Sequence, residues 1–345
     1  MLELDGSLGE GGGQILRTSL ALSLVTGKAF RLRNIRAGRA KPGLQPQHLM
    51  CVRAAAQVGQ AQVKGASLGS AVLDFEPGQV VPGKYHFEIG TAGATSLVLH
   101  TLYLPLALAS APSELTIGGG THVKASPCFH FLDATWRAYM SLLGLDVKLR
   151  MVRPGFYPRG GGLLHAHIAP CSALRNLELM QTGTPTHVTG FSAVAGLPEH
   201  IAERQARRAS QRLRSCRLKV EIAEETWPGG PGTVLSLTLH STPVRTLFFG
   251  LGERGKRAER VADEAADQAL AFLDAEPPGI DCHSADQILL PLALAPGSSY
   301  FRTTEVTSHL LTNAQVIQAF VDRPIHATGE LGQPGEVRVG LCTIE

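Results

Sequence analysis

The sequence is poor in charged residues, aromatic residues and cysteine motifs. Of its 345 residues, 18% are charged and 6% are aromatic, whereas 44% are hydrophobic. A charged fraction below the usual ~25%, with this much apolar material, excludes a largely disordered chain and predicts a sizeable core. The formal net charge of +3 is too small by itself to indicate a polyanionic partner. Local basic clusters must carry that inference.

No segment predicts a membrane span or a secretory signal. The most apolar stretch, residues 95–112, is interrupted by His100 and Pro105 and is short for a bilayer. The first residues, Met-Leu-Glu-Leu-Asp, lack the basic and apolar regions of a signal peptide. The six cysteines are scattered, without a CxxC pair or zinc spacing. We therefore expect reduced thiols in a cytoplasmic protein that does not enter a membrane.

One helix–strand pattern recurs along the chain. The string Leu-Pro-Leu-Ala-Leu-Ala occurs at 104–109 and again at 290–295, each time after a helix-like run and before a strand and a polar loop. A looser copy covers residues 20–58. These copies predict an α/β (α+β) fold whose large domain holds three βαβαββ-like repeats around a pseudo-threefold axis, near residues 1–85, 86–165 and 280–345. The alternative at this point is that the copies share only a common helix–strand rhythm, because short Leu/Ala strings recur by chance.

Residues 184–279 do not follow the repeat and predict a smaller inserted α/β domain. The large catalytic domain would then comprise residues 1–183 and 280–345. Within the insertion, an arginine-rich helix at 198–215 suits either contact with a nucleic-acid backbone or a solvated helix face.

The polar loops that follow the equivalent strands of the three repeats are predicted to converge on one site. These loops carry Arg36 and Arg39, His122 and Lys124, and His309. Arg36 and Arg39 belong to a segment, residues 31–41, that contains five basic residues and no acid. Forked guanidinium groups in a loop suit phosphate oxygens.

A glycine-rich turn precedes the first predicted helix. Residues 9–14 read Gly-Glu-Gly-Gly-Gly-Gln, and free amides at a helix N-terminus attract phosphate. The turn lacks the Gly-Lys-Ser/Thr of a P-loop, and a purely structural turn remains an alternative. Glu10 would repel a phosphate unless Mg²⁺ or Mn²⁺ lay between them. His165 and His167 alternate on one predicted strand as a candidate metal pair, but no third ligand is nearby.

Seven stretches together resemble the RNA 3′-terminal phosphate cyclases, and they follow one another in the order seen in that family. They are Gly-Glu-Gly-Gly-Gly-Gln-Ile-Leu-Arg (9–17), Arg-Ala-Gly-Arg-Ala-Lys-Pro-Gly-Leu (36–44), Gly-Thr-Ala-Gly (90–93), Gly-Gly-Thr-His (119–122), Gly-Phe-Tyr-Pro-Arg-Gly-Gly-Gly (155–162), Ala-Asp-Gln (285–287) with the following Leu-Pro-Leu-Ala-Leu-Ala, and Ser-His-Leu-Leu-Thr-Asn (308–313). The resemblance implies three repeats with a smaller inserted domain.

The resemblance also implies an activity, which is the ATP-dependent conversion of an RNA 3′-phosphate end into a 2′,3′-cyclic phosphate. His309 matches the family's nucleophile, which forms a covalent histidine–AMP before AMP passes to the RNA. Glu10 matches a ligand of the divalent metal, Mg²⁺ or Mn²⁺. The residues at the family's ATP-binding positions are also expected to bind ATP here, namely Gln14, Arg17, Arg36, Arg39, His100, His283, Ser284, Ala285, Asp286 and Gln287.

This sequence departs from the family pattern at several positions. His100 stands where an amide is usual, and His283 where an aromatic residue is frequent. Cys128 and His130 replace small or acidic residues. Two other functions remain as alternatives, a catalytically inactive relative that acts as a ribosome-assembly scaffold and an enolpyruvyl transferase built from similar repeats. The sequence leaves the oligomeric state open, with a homodimer among the states it allows.

Overall fold

The computed structural model describes residues 1–276 and 278–340 and forms four four-stranded sheets with their helices. Pro277, which belongs to the predicted insertion, and residues 341–345, which include Cys342, lie outside the described ranges. The predicted mixed α/β fold is confirmed. Among the described residues, no helix is long and apolar enough to cross a membrane.

The secondary-structure elements are numbered in chain order. The strands are β1 (Leu2–Asp5), β2 (Phe30–Arg33), β3 (Gln62–Lys64), β4 (Leu73–Glu76), β5 (Lys84–Glu88), β6 (Ser113–Gly119), β7 (Val147–Arg153), β8 (Gly162–Ile168), β9 (Glu178–Leu179), β10 (His187–Ala195), β11 (Lys219–Trp227), β12 (Gly232–His240), β13 (Thr246–Leu251), β14 (Ser299–Thr303), β15 (Ile325–Thr328) and β16 (Gly335–Val339). The helices are α1 (Gln14–Thr26), α2 (Pro46–Val58), α3 (Thr95–Ala107), α4 (Phe129–Phe131), α5 (Arg137–Leu142), α6 (His200–Arg212), α7 (Ala258–Asp274), α8 (Cys282–Gln287), α9 (Leu289–Leu294) and α10 (Ser308–Phe320).

Three of the sheets share one topology. Their strand orders are β1-β2-β4-β3, β5-β6-β8-β7 and β9-β14-β16-β15. In each sheet the first strand runs parallel to its neighbour and the other two pairings are antiparallel. The pattern therefore recurs three times as a structural unit.

The predicted start of the third repeat at residue 280 is wrong. Its first strand, β9, lies at Glu178–Leu179 and pairs in parallel with β14, so the intervening residues interrupt this repeat instead of preceding it. Sequence reasoning missed β9 because a strand of two residues carries no readable periodicity.

The helices of the three repeats pack against one another in a common core. Helix α1 contacts α2, α3 and α10 and is buried on nearly all sides. It ends at Gly27, which has a φ of 69°, a left-handed conformation that glycine adopts without strain. Phe30 of β2 packs against Phe320 of α10 with ring centroids 5.9 Å apart. Each fully buried Leu or Phe contributes about 1.5–3 kcal/mol to the free energy of unfolding.

The fourth sheet, β11-β10-β12-β13, has its own apolar cluster with α6 and α7. Three arginines of the predicted basic helix form ion pairs with acids of α7, at 2.8 Å (Arg204–Glu259), 2.7 Å (Arg208–Asp263) and 2.6 Å (Arg212–Asp267). These three arginines therefore hold α6 against α7 instead of facing solvent freely. The domain limits at residues 184 and 279 remain a prediction.

Candidate active site

A cleft of about 880 Å³ opens where the turns before α1, α8 and α10 meet, a volume in the usual range for a small-molecule site. All three repeats and the inserted unit contribute to its wall. The predicted residues that line it are Glu10, Gln14, Arg17, Arg36, Arg39, His100, Lys124, His283, Asp286, Gln287 and His309.

His309 is positioned by the first turn of α10. The side chain of Thr307 caps this helix by accepting a hydrogen bond from the Leu310 amide at 3.1 Å. The imidazole Nδ1 of His309 lies 2.9 Å from Oε1 of Gln14, and Nε2 of Gln14 donates to Oδ2 of Asp286 at 2.6 Å. Because the Gln14 nitrogen faces the carboxylate, its oxygen can only accept from Nδ1. Nε2 of His309 is therefore the nitrogen that carries the lone pair.

Electrostatics keep His309 in its neutral form. Burial lowers its pKa below the usual value, and the cations of Arg17 and Arg39 lower it further, while Glu10 opposes them. Nε2 of His309 lies 3.9 Å from Oε2 of Glu10. A neutral imidazole with a free Nε2 is nucleophilic near pH 7 without first losing a proton.

Two further side chains hold α1, α8 and α10 in register. Asn313 donates from Nδ2 to the backbone oxygen of Asp286 at 2.7 Å, and Thr18 donates to Oδ1 of Asn313 at 2.7 Å. Sequence reasoning did not identify either residue. The available signal was helical spacing, because Thr18 lies four residues after Gln14 and Asn313 four after His309.

Glu10 presents a carboxylate with one unused oxygen. The turn around it is tight, since a Cβ on Gly9 would lie 2.0 Å from Oγ1 of Thr312. The Glu10 side chain is only 6% exposed, and its Oε2 forms an ion pair with Arg39. Its Oε1 is buried without a hydrogen-bond partner in the part of the chain that the structure describes. An orphaned anionic oxygen of this kind fits a hard divalent cation.

The protein offers such a cation few other ligands. In residues 1–276 and 278–340, no group of three or more His, Cys, Asp or Glu side chains is arranged to hold a metal ion. Mg²⁺ is commonly bound by one or two carboxylates together with substrate phosphates. The residues present therefore fit a metal that arrives with a phosphorylated substrate, and not a permanently caged ion.

The three arginines of the cleft differ in their partners. Arg36 donates from Nη1 to the backbone oxygens of Lys41 and Gly43, at 2.5 and 3.0 Å, and Arg39 pairs with Glu10. Arg17 is half-buried and has no hydrogen-bond or ion-pair partner among the described residues, and burial lowers its pKa. Arg17 is thus the cation most available to an incoming phosphate.

His48 also lines the cleft and was not identified from the sequence. It is 4% exposed, and burial, with Arg17 and Arg36 close by, lowers its pKa to about 3. Its neutral ring packs where a Cβ on Gly13 would lie, 2.4 Å from Nε2. The sequence signal was its position at the start of α2, directly after the arginine loop.

The far end of the cleft is aromatic. His100 on α3 faces Trp136 with ring centroids 5.3 Å apart, and Tyr103 packs edge-on against Trp136 at 4.9 Å. Burial lowers the pKa of His100 to about 3, so this ring is neutral. Its Nε2 has no hydrogen-bond partner within the described ranges. This end of the cleft suits a flat aromatic group with hydrogen-bonding edges.

Only some residues of the segment 283–287 face the cleft. Asp281 caps α8 by accepting hydrogen bonds from the amides of His283 and Ser284, at 3.1 and 2.9 Å. His283, Asp286 and Gln287 line the cleft, whereas Ser284 and Ala285 are buried behind it. A direct contact of Ser284 or Ala285 with ATP therefore remains a prediction. The placement of these two side chains does not support it.

The predicted convergence of loops is correct for Lys124 and wrong for His122. Lys124 lines the cleft and pairs with Glu253 of the inserted unit at 3.3 Å. His122 is 2% exposed, and its Nε2 lies within hydrogen-bond distance, 3.0 Å, of Nδ1 of His130, in a cluster that includes Phe156. Aromatic packing at the junction with the inserted unit has removed this imidazole from the cleft.

Comparison with known proteins identifies the family. The family model described as RNA 3′-terminal phosphate cyclase matches residues 8–327. A protein of that name from Ectopseudomonas mendocina is 45% identical over 331 residues, which is 95% of this chain and 94% of the relative. Relatives of the same name from Nostoc punctiforme and Caldivirga maquilingensis are each 42% identical, covering 93% and 94% of this chain and 94% of each relative. The chain belongs to the RNA 3′-terminal phosphate cyclase family.

Proposed function

We propose that this protein is an ATP-dependent RNA 3′-terminal phosphate cyclase that acts through a covalent histidine–AMP and an adenylylated RNA end. The observation that carries the proposal is the neutral His309, whose Nε2 lies 3.9 Å from Oε2 of Glu10 in a cleft that also contains Arg17, a cation with no ion-pair partner among the described residues. The substrates are ATP and an RNA that ends in a 3′-phosphate.

In the first step, Nε2 of His309 attacks the α-phosphorus of ATP. A phosphorus–nitrogen bond forms and the bond to the pyrophosphate oxygen breaks. Nδ1 keeps its proton throughout, because Gln14 accepts a hydrogen bond from it. The positive charge that the ring acquires is stabilised through Gln14 by the carboxylate of Asp286.

In the second step, an oxygen of the RNA 3′-phosphate attacks the phosphorus of the histidine adenylate, and the bond to Nε2 breaks. His309 thereby returns to its neutral form. In the third step the neighbouring 2′-hydroxyl attacks the RNA phosphorus, closes the ring and expels AMP, while its proton is lost to the medium. The sugar itself holds this hydroxyl at a high effective concentration, so the protein needs only to hold and activate the end.

The remaining cleft residues would bind and orient ATP. Arg17, with Arg36 and Arg39 beside it, supplies positive charge for the phosphates. The aromatic end around His100 and Trp136 suits the adenine base. Mg²⁺ or Mn²⁺ held on Oε1 of Glu10 would neutralise negative charge that develops on the phosphates.

The two alternatives make less use of this site. An inactive scaffold of the family has no need of the nucleophile, yet His309 is present with its orienting partners Gln14 and Asp286. An enolpyruvyl transferase needs no adenylylated histidine.

The five described cysteines are all free, which supports our further proposal of a cytoplasmic location.

Incubation with α-labelled ATP, followed by denaturing gel separation, tests the proposal. The wild type and the matched variant His326→Ala, which removes an exposed imidazole of the same repeat outside the cleft, should retain labelled AMP on the protein. His309→Ala should retain none and should not cyclise an RNA 3′-phosphate. Label on His309→Ala, or no label on a folded wild type, would overturn the proposed mechanism.

A further inference from the structure

The hairpin formed by β7 and β8 is the least compensated basic surface among the three equivalent sheets. Residues 147–168 contain no Asp or Glu. The hairpin carries four cations and two imidazoles, at Lys148, Arg150, Arg153, Arg159, His165 and His167. None of the four cations forms an ion pair with a described residue. Arg153 donates to the backbone oxygen of Gly161 at 2.8 Å.

Register places these groups side by side on the outer face of the sheet. Lys148 is opposite His167, and Arg150 is opposite His165. Lys148, Arg150 and His167 are exposed, and β7 is the edge strand of its sheet. The cations of β7 extend from Lys148 to Arg153, a distance of about 17 Å at ~3.3 Å per residue.

Each of the other two sheets pairs an outward arginine with an acid. In the first sheet Arg31 pairs with Asp74 at 2.6 Å, and in the third Arg302 pairs with Glu336 at 2.7 Å. The strand equivalent to β7 in the first sheet is β3, where Lys64 lies opposite Asp74. The three sheets share one topology, yet the cations of β7 and β8 have no acidic partners among the described residues. The unpaired charge is therefore not a requirement of the fold.

The loop that joins β7 to β8 connects this surface to the cleft. The backbone oxygen of Gly155 accepts from the amides of Thr121 and His122, at 2.9 and 3.0 Å, and His122 lies two residues before Lys124 at the cleft. Phe156 anchors the loop, with its ring centroid 5.1 Å from that of His122. The next residue, Tyr157, is 77% exposed.

We infer that the β7–β8 hairpin and its loop form the track that binds single-stranded RNA upstream of the reacting 3′ end. Lys148 and Arg150 contact phosphates, and Tyr157 stacks on a base. Phosphate contacts position a strand without reading its sequence, and an exposed aromatic ring stacks on any base. This inference rests on the proposed function for the identity of the substrate.

RNA binding measured in the absence of ATP tests the hairpin track separately from the proposed cyclase activity. The probe is a labelled single-stranded RNA of about 20 nucleotides with a 3′-phosphate, measured by fluorescence anisotropy. Lys148→Ala/Arg150→Ala should weaken binding about tenfold and reduce the slope of log K against log salt by about 1.4, since each lost phosphate contact contributes ~0.7. Tyr157→Ala should weaken binding about tenfold, whereas Tyr157→Phe should bind like the wild type.

Arg53→Ala/Lys64→Ala is the matched control. It removes two exposed cations from the first repeat and should bind RNA like the wild type. All these variants should become labelled by ATP as the wild type does and should have an unchanged KM for a trinucleotide 3′-phosphate. If the hairpin variants bind the long RNA no more weakly than the control, or if polyglutamate competes as well as RNA, the track is wrong. A folded wild type that is not labelled by ATP would instead contradict the proposed function.

Discussion

Nδ1 of His309 donates its hydrogen bond to Oε1 of Gln14, which lies 295 residues earlier in the chain. This single contact selects the tautomer in which Nε2 is free. The glycine-rich turn therefore also positions the site, because the residue that ends the turn orients the proposed nucleophile.

We therefore expect Gln14→Ala to slow self-adenylylation by about 10- to 100-fold, which corresponds to a charge-assisted hydrogen bond of ~1.5–3 kcal/mol. The loss should appear in the rate of a single turnover at saturating ATP, with little change in the affinity for ATP. Gln45→Ala, an amide removed outside this contact, is the control. An unchanged single-turnover rate would mean that Gln14 does not orient His309.

The rate of adenylylation should also depend on the ionisation of Asp286. Burial raises the pKa of this carboxyl to about 7, although the hydrogen bond from Gln14 and the charge of Arg17 oppose the shift. Above that pH the carboxylate accepts from Gln14. Below it the protonated carboxyl donates instead, which turns the amide and presents its nitrogen to Nδ1. The rate should therefore rise with pH, with an apparent pKa near 7, and Asp286→Asn should be slow and lack this step.

The same shift predicts an effect on stability. The folded pKa of Asp286 is raised above its usual value, so the folded state binds the proton more tightly than the unfolded state does. The free energy of unfolding should fall as pH rises from about 4 to about 7, by up to ~4 kcal/mol at ~1.36 kcal/mol per pKa unit. Asp286→Asn should remove this contribution, as measured by urea unfolding at several pH values. Parallel profiles for the two proteins would contradict it.

Glu10→Gln should leave the fold intact and weaken the use of Mg²⁺ or Mn²⁺. The substitution keeps the size of the side chain but removes the charge from the buried oxygen Oε1. We expect the metal concentration for half-maximal labelling to rise at least tenfold. Glu253→Gln, another carboxylate of the cleft, should respond to metal like the wild type. If Glu10→Gln shows the same metal dependence as Glu253→Gln, Glu10 has only a structural role.

Arg17→Ala should weaken labelling by ATP by ~1.5–3 kcal/mol, or about 10- to 100-fold in kcat/KM, because its guanidinium has no competing protein partner among the described residues. Arg36→Ala should cost less than this, since its Nη1 is already bound to the carbonyl groups of Lys41 and Gly43. Arg17→Lys, which keeps the charge but not the fork, should recover part of the loss. Equal effects for Arg17→Ala and Arg36→Ala would contradict this ranking.

Local features of the sequence determined much of this protein. The glycine-rich turn at residues 9–14 predicted a helix directly after it, and α1 begins at Gln14, because a helix start depends on residues close in the chain. The motif around His309 likewise identified a candidate nucleophile and its family.

Only the tertiary structure decided which groups meet. His122 follows the same pattern as the other loops but is buried by Phe156 and His130, and β9 joins the third repeat across an insertion. The arginines of α6 face acids of α7 more than 50 residues later, with separations of 55 for the Arg204 and Arg208 pairs. Such contacts depend on how complete helices and sheets pack, and local spacing contains no information about the partner that packing will bring.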